Sequence, residues 1–577
     1  MPAHRPASFG KLTLLPVAPS IWDAVVFALV LGVLALVAFG GRETLQPLSV
    51  GVGTISLDPA VLPHYALRTT LRMLAAMAAS LIFTFAFGAL AAKSRRAEMV
   101  LIPMLDVLQS IPVLGFLSFT VTGFMALFPG QVLGVELAAI FAIFTSQAWN
   151  MAYSFYHSTK TLPRDLKDLS DSLRLGAWRR FWTLEAPYAA PGLVWNAMIS
   201  MSGAWFFVVA SEAISVGRTT VSLPGVGSYV ALAIAQHDLK AVGWAVLTML
   251  LVILMYDQLM FRPLVAWAEK FRLEASTEAP PRSWALDLFQ RADFLRGRIR
   301  PVANILSSVA SVRMGKPIST PPALTRAWHS PWTERAWYVL LGAAAVVAAW
   351  RAIAYIGGSV DLAEVVHVAI LGFYTLVRVA VLVGIASLIW VPAGVWIGLR
   401  PRWAERLQPV TQFLAAFPSN LLFPAVVVLI VRFDLTPDIW LSPLMILGAQ
   451  WYLLFNVIAG TRAFPHDLLE AAASMRVKGW GWWRRVILPG IMPSYVTGAI
   501  TASGGAWNAA IVAEVANWGD TKLTAHGVGA YIAENTAAGD LRRVVLGVAV
   551  MAVYVVLVNR LFWEPLFMRA ARMLRAD

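Results

Sequence analysis

Apolar positions in this chain come in long runs separated by short polar loops, a pattern that predicts membrane-crossing helices of roughly 20 residues each. In the first half the runs fall at about 21–40, 66–92, 99–128, 136–157, 189–216 and 241–262. In the second they fall at about 336–356, 367–398, 406–433, 440–460, 491–517 and 541–568. The expected fold class is therefore an all-α integral membrane protein of about twelve transmembrane helices, six per half. The strongly basic loops all fall on one side of this layout: Lys93, Arg95 and Arg96; the stretch from Lys160 to Arg180; the central linker; Arg400 and Arg402; Arg462 to Arg485; and the tail from Arg569. That bias marks the side as cytoplasmic and places both termini there. Six is even, so the halves enter the membrane in the same sense, as parallel repeats rather than inverted ones.

The halves also repeat residue by residue. At a fixed spacing of 302 residues, Trp149 matches Trp451, Pro163 Pro465, Asp165 Asp467, Ser172 Ser474, Arg174 Arg476, Trp178 Trp480, Pro187 Pro489 and Pro191 Pro493. The register continues through Trp205/Trp507, Glu212/Glu514, Gly217/Gly519, Gly225/Gly527, Gly227/Gly529, Tyr229/Tyr531, Asp238/Asp540 and Pro263/Pro565. Hydrophobic composition alone yields Leu and Val matches, not Trp, Glu and Pro in one register. The chain divides into a first unit, 1–267, a linker, 268–332, and a second unit, 333–577. In the linker Trp284, Leu288, Phe289, Phe294, Leu295 and Ile299 alternate with Arg291, Arg296, Arg298 and Arg300, a pattern suited to an amphipathic helix in the membrane interface.

Composition agrees and narrows the chemistry. Hydrophobic residues make up 59% and charged residues 14%, too little polar surface for a soluble globule of 577 residues. The absence of cysteine excludes disulfides and thiolate metal sites, and the eight histidines show no ligand spacing. A net charge of +14 is accounted for by loops facing anionic headgroups, so no nucleic-acid role is expected. The first apolar run lacks a small-residue cleavage site and reads as a retained helix.

The diagnostic segment lies between the fourth and fifth runs of each half. In the second it reads Glu470-Ala471-Ala472-Ala473-Ser474-Met475-Arg476, then Val486-Ile487-Leu488-Pro489; in the first, Asp168-Leu169-Ser170-Asp171-Ser172-Leu173-Arg174, then Leu184-Glu185-Ala186-Pro187. Small residues let a short helix approach a partner closely, an acidic residue near its start suits the helix dipole, and a proline ends the element rigidly. This segment resembles the Glu-Ala-Ala loop of ATP-binding-cassette importer permeases, with Glu470 and Pro489 at the family spacing. The family glycine is replaced by Arg174 and Arg476, so the turn is expected to move to Gly176 and to Gly479 or Gly481. After the loop come Gly203-Ala204-Trp205, Glu212 and Gly225-Val226-Gly227-Ser228-Tyr229, then Gly505-Ala506-Trp507, Glu514 and Gly527-Val528-Gly529-Ala530-Tyr531. These resemble the branch serving nitrate, sulfonates, taurine and bicarbonate.

The resemblance implies an ATP-driven importer of a small anion, with coupling loops at Asp168, Ser172, Arg174, Gly176, Pro187, Glu470, Ala471, Ala472, Ser474, Arg476, Gly479 and Pro489. Candidates for pathway or gate are Asn196, Trp205, Glu212, Asn508, Trp507, Glu514, Arg72 and Arg378. A carboxylate at mid-membrane costs roughly 2.5–3.5 kcal/mol, so Glu212 and Glu514 need partners, for which Arg72, Arg378 and the amides of the glycine-rich loop are candidates. No Gly-x-x-x-x-Gly-Lys-Ser/Thr motif exists, so the chain is not expected to cradle nucleotide phosphates itself, and no cofactor of its own is expected. By the resemblance, ATP and Mg are expected on two separate ATP-binding subunits, a separate periplasmic or extracellular solute-binding protein is expected to capture the solute, and no self-dimer is expected to be needed. An ion- or proton-coupled secondary transporter is the alternative; it does not require paired docking loops.

Overall fold

The computed structural model describes Gly41 and residues 55–111, 113–216, 219–271, 284–291, 331–358, 360–462, 464, 466–518 and 521–574. The first apolar run, the Gly217/Gly519 pair and most of the linker, including Phe294, Leu295 and Ile299, lie outside the described residues. In the first half the main elements are α1 (Leu62–Lys93), α2 (Arg95–Ser110), α3 (Leu117–Leu127), α4 (Val132–Lys160), α5 (Arg164–Ser172) and α6 (Ala186–Glu212). A hairpin of β1 (Ala213–Val216) and β2 (Thr219–Ser222), α7 (Val226–Ala235) and α8 (Leu239–Tyr256) follow. The second half holds α9 (Pro331–Gly357), α10 (Leu362–Gly398), α11 (Pro401–Ala416), α12 (Phe423–Arg432), α13 (Gln450–Arg462), α14 (His466–Ser474) and α15 (Leu488–Ala513). It ends with the hairpin β3 (Val515–Trp518) and β4 (Thr521–Thr524), α16 (Val528–Ala538), α17 (Leu541–Val558) and α18 (Glu564–Leu574).

The described residues form two compact units. The smaller holds Pro163–Pro191 and, from the segment after α8, residues 257–271 and 284–291; the larger holds the rest. In the larger unit α4 packs along α1, and α13 lies between α10 and α15. Its core is rich in Ala, Val and Leu, with Trp507 among its largest buried side chains.

Among the described residues eight helices are long and apolar enough to cross a membrane, or up to ten if two bent pairs each count as one span. The expected third spans, 99–128 and 406–433, are not single helices. α2 stops at Ile111 and α11 at Phe417, both extended and both directly before proline. The ring of Pro112 or Pro418 clashes with an α-conformation in the residue ahead of it. In the second half the chain then resumes at an angle of 79°. The fifth spans end earlier than expected, at Glu212 and Ala513, and are followed by antiparallel hairpins.

Four wide π-helical turns interrupt the long helices: Phe181–Glu185, Asp257–Phe261, Trp483–Ile487 and Asn559–Trp563. Each is followed by one residue and then proline, at Pro187, Pro263, Pro489 and Pro565. Proline removes a backbone donor and pushes away the carbonyl four residues earlier, and the widened turn takes up that displacement. Two of the proline pairs that repeat in register, Pro187/Pro489 and Pro263/Pro565, therefore mark one local distortion made four times.

Candidate functional site

Three features stand out: the exposed loops before α6 and α15, a cavity between the repeats, and buried ion clusters at the opposite ends of the helices. In each loop a nine-residue helix, α5 or α14, ends in the same six-residue turn. Leu175 N–H donates to Ser170 O at 3.1 Å and Arg174 N–H to Asp171 O at 3.0 Å; Val477 donates to Ala472 and Arg476 to Ala473, both at 3.0 Å. This is the Schellman closure, whose penultimate residue adopts a left-handed conformation. Arg174 has φ 48° and Arg476 φ 53°. The turn has therefore not moved to the neighbouring glycines: Gly176 has φ −62°, and Gly479, left-handed at 61°, lies beyond the completed turn. The backbone bonds of the cap are available to any residue, and they hold the reversal in place without glycine.

The loops differ in their bracing. Arg180 bridges Asp171 at 3.1 Å and Glu185 at 3.4 Å in the first. The corresponding residues of the second, Trp482, Ala473 and Ile487, are apolar. Asp168 and Glu470 are exposed, as are Ala471 and Ser474; Ala472 is buried, and Ser172 donates its hydroxyl to Asp168 O at 2.9 Å. Pro187 and Pro489 stand in the first turns of α6 and α15, directly after the π-turns.

Within the larger unit a cavity of about 370 Å³ is lined by α4, α6, α15 and the segment around α13. Its polar wall includes Asn150, Asn196, Ser200, Asn456, Thr501 and Asn508, and its apolar wall Phe206, Phe207 and Phe455. Asn196 donates to Ser154 Oγ at 3.0 Å and Gly192 O at 2.9 Å. Asn508 donates to Gly504 O at 3.1 Å and accepts the Val113 N–H, freed by the break at Pro112, at 2.8 Å. These bonds fix the amides in advance of any solute. Among the described residues that line it none is acidic, basic or histidine, so they offer dipoles but no net charge.

Asn196, Asn508 and Trp507 lie on the cavity wall, whereas Trp205 does not. Trp205 is 2% exposed and packs edge-on against Tyr256 at 5.8 Å between ring centres. Trp507 is 1% exposed and stacks on Tyr554. In this naturally cysteine-free chain, Asn508→Cys is expected to react readily with a small methanethiosulfonate reagent and Trp205→Cys only slowly. Equal labelling rates would contradict the placement of Trp205 in the packing.

At the end of α1 remote from Lys93, Arg72 donates to Glu136 Oε2 at 2.6 Å through Nε and to Glu212 Oε1 at 2.7 Å through Nη1. Arg68 Nη2 reaches Glu136 Oε1 at 2.5 Å, and the Thr69 hydroxyl donates to Glu212 Oε1 at 2.6 Å. Gly227 N–H supplies a further donor to Glu212 Oε2 at 2.7 Å. Two guanidinium groups thus face two carboxylates, all four residues at most 3% exposed. In the second half Arg378 reaches Glu514 Oε1 at 3.1 Å and Asp438 Oδ1 at 2.8 Å, Thr375 donates to Glu514 at 2.8 Å, and Ala530 N–H donates to it at 3.0 Å. Tyr374 stands where Arg68 does in the first cluster, and His526, whose Nδ1 lies 3.0 Å from Asp438 Oδ2, stands where Pro224 does.

Each Glu also governs the adjacent hairpin. Leu223 N–H donates to Glu212 O at 2.9 Å and Ala525 N–H to Glu514 O at 2.8 Å, closing the hairpin bases. The first hairpin packs on α16 and the second on α7, so each reaches the opposite repeat.

Glu136, Arg68, Thr69, Thr375 and Asp438 were not among the residues read as functional. The repeat carried a signal for two of them, since Glu136 and Asp438 stand 302 residues apart, an acidic pair in register. Thr69/Thr375 and Arg72/Arg378 are instead 306 apart, because the second half is four residues shorter between these helices and the acidic pair.

A family model described as binding-protein-dependent transport system inner membrane component matches the chain twice, over residues 84–261 and 390–562. The chain is 30% identical over 141 residues to a bicarbonate transport system permease protein of Synechococcus elongatus, covering 24% of this chain and 49% of that protein. It is 25% identical over 187 residues to a nitrate import permease protein of Leptolyngbya laminosa, covering 32% and 63%. It is 35% identical over 114 residues to a putative aliphatic sulfonates transport permease protein of Escherichia coli, covering 20% and 42%. The chain spans about half the length of the curated relatives it matches.

Proposed function

Because this chain belongs to the family of binding-protein-dependent transport system inner membrane components, we propose that it is a two-in-one permease of an ATP-driven importer of small anions. The observation that carries this reading is the exposed helix and turn that occurs once per repeat, with the same backbone geometry in both copies. A helix of nine residues exposing Leu169 and Leu173, or Met475 with the nearby Trp480, leaves apolar surface for another protein to cover. Each loop docks one ATP-binding subunit on the cytoplasmic side, where ATP and Mg are held by that subunit. The termini lie on the same side. A separate solute-binding protein delivers the cargo to the opposite side, between the two hairpins.

The cavity then serves as the transit chamber. Its lining of amides and hydroxyls without a charge suits transient hydrogen bonding of an anion, whereas a lysine or arginine there would hold it too long. The anion itself is suggested by the bicarbonate, nitrate and sulfonate named for the relatives. Arg72 and Arg378 do not act as its receptors in this reading, because carboxylates already occupy both.

Quantitative mass analysis of the purified assembly should give two ATP-binding subunits per chain. One per chain would refute the assignment of a docking site to each loop, and ATP-independent uptake by the isolated chain would refute the importer reading.

A further inference from the structure

The left-handed turn is occupied by arginine in both copies although nothing in the cap itself requires it. Among the described residues the other non-glycine positions with positive φ are His237 and Asp434, types that tolerate the left-handed region comparatively well. Arginine does not; its Cβ crowds the following carbonyl, and glycine would remove that cost. A cation near a helix C-terminus gains from the helix dipole, but at an exposed position this gain is no larger than the strain it must offset. Arg174 and Arg476 are both exposed, and neither guanidinium has a hydrogen-bond or ion-pair partner among the described residues. Each directly follows an exposed apolar side chain, Leu173 at 62% and Met475 at 78%.

The two backbone bonds of each cap offset the left-handed strain, but they would serve glycine equally, so they do not account for an exposed arginine at this position in both copies. What the cap leaves unexplained is the side chain itself: among the described residues nothing pairs with either guanidinium, and the candidate that would is a partner. We propose that Arg174 and Arg476 each engage a carboxylate on the ATP-binding subunit, whose docking groove is apolar where it receives Leu173 or Met475 and acidic beside it. This rests on the docking role of the loops given above. The planar guanidinium is suited to a paired contact with a carboxylate, and the neighbouring apolar side chain would exclude water from the bond. The ionic brace at Arg180 and the apolar brace at Trp482 leave the two loops different in their interiors, yet the same exposed pair of apolar residue and arginine is presented by each.

The test compares the full chain in lipid nanodiscs with three double variants, Arg174→Gly/Arg476→Gly, Arg174→Ala/Arg476→Ala and Arg174→Glu/Arg476→Glu. Each is titrated with the purified ATP-binding subunit that assembles with the unaltered chain, and the melting temperature of the chain alone is recorded. The glycine variant should melt higher than the unaltered chain but bind the subunit about ten-fold more weakly. The alanine variant should bind equally weakly without the gain in melting temperature, and the glutamate variant should bind more weakly still, with a reduced dependence on salt. Alanine or glutamate variants that bind within two-fold of the unaltered chain overturn the proposal while leaving the docking role intact. If the unaltered chain binds no ATP-binding subunit, the docking role falls and this proposal with it.

Discussion

Arg72→Gln is expected to cost about 3–5 kcal/mol, enough to abolish recovery of the folded chain, because it leaves two carboxylates in the membrane with one arginine between them. Arg72 is 3% exposed and joins Glu136 and Glu212, and Glu212 itself is 0% exposed. Without the guanidinium, Glu212 keeps only the Thr69 hydroxyl and the Gly227 N–H as donors among the described residues. Arg378→Gln should be milder. Asp438 is 45% exposed in its side chain and can be solvated when its partner is lost, and Glu514 retains Thr375 and the Ala530 N–H. Size-exclusion recovery after a temperature series would measure both losses. Equal losses would mean that the second cluster is as dry as the first. A loss of uptake in the Arg72 variant at unaltered stability would make Arg72 a receptor for the solute instead of a structural ion.

Gly227→Ala should destabilise the chain by about 1–3 kcal/mol through overpacking, and the matching Gly529→Ala should do the same. A Cβ at Gly227 would meet the backbone carbonyl of Val209, and one at Gly529 the backbone of Ala510, neither of which can swing aside as a side-chain end would. The Glu212 carboxylate hydrogen-bonds the Gly227 amide, so the displacement would also lengthen that bond. Gly243 offers the control. It lies in α8 with open space around its Cβ position, and alanine there should be neutral or stabilising by up to about 1 kcal/mol. The melting temperatures of the three variants check the prediction; a Gly227 variant indistinguishable from the Gly243 variant would show that α6 and α7 can separate without loss.

The helical class, the duplication and the family could be read from the order of residues because they rest on local or repeated properties. Runs of apolar residues specify helices through the cost of exposing backbone groups to lipid, and a register kept over Trp, Pro and Glu does not arise by composition. The loop pattern beginning at Glu470 was legible for the same reason, since its spacing lies within one short stretch of chain. Pro112 and Pro418 were equally visible, but their effect was underestimated. A long apolar window hides the fact that the residue before proline cannot remain helical, and the expected third spans broke there. The hairpins after Glu212 and Glu514 were missed because their strands have four residues each and adjoin a helix without a polar break.

What only the folded chain decided is where the scattered polar groups meet. Arg72 and Glu212 are 140 positions apart, and the bond between them is set by how α1 packs along α4, α7 and α8, which no window along the chain contains. The packing of α1 on α4 added Glu136 to the cluster, and tertiary contacts likewise turned Trp205 against Tyr256 in the interior while leaving Asn508 on the cavity wall. Arg174 and Arg476 show the converse limit. Their residue type argued against a left-handed turn, but two backbone hydrogen bonds at the helix end outweighed the preference of one side chain. Periodicity is a property of neighbouring residues and survives in the sequence, whereas ion pairing, strain and cavity lining depend on distances closed by the tertiary structure.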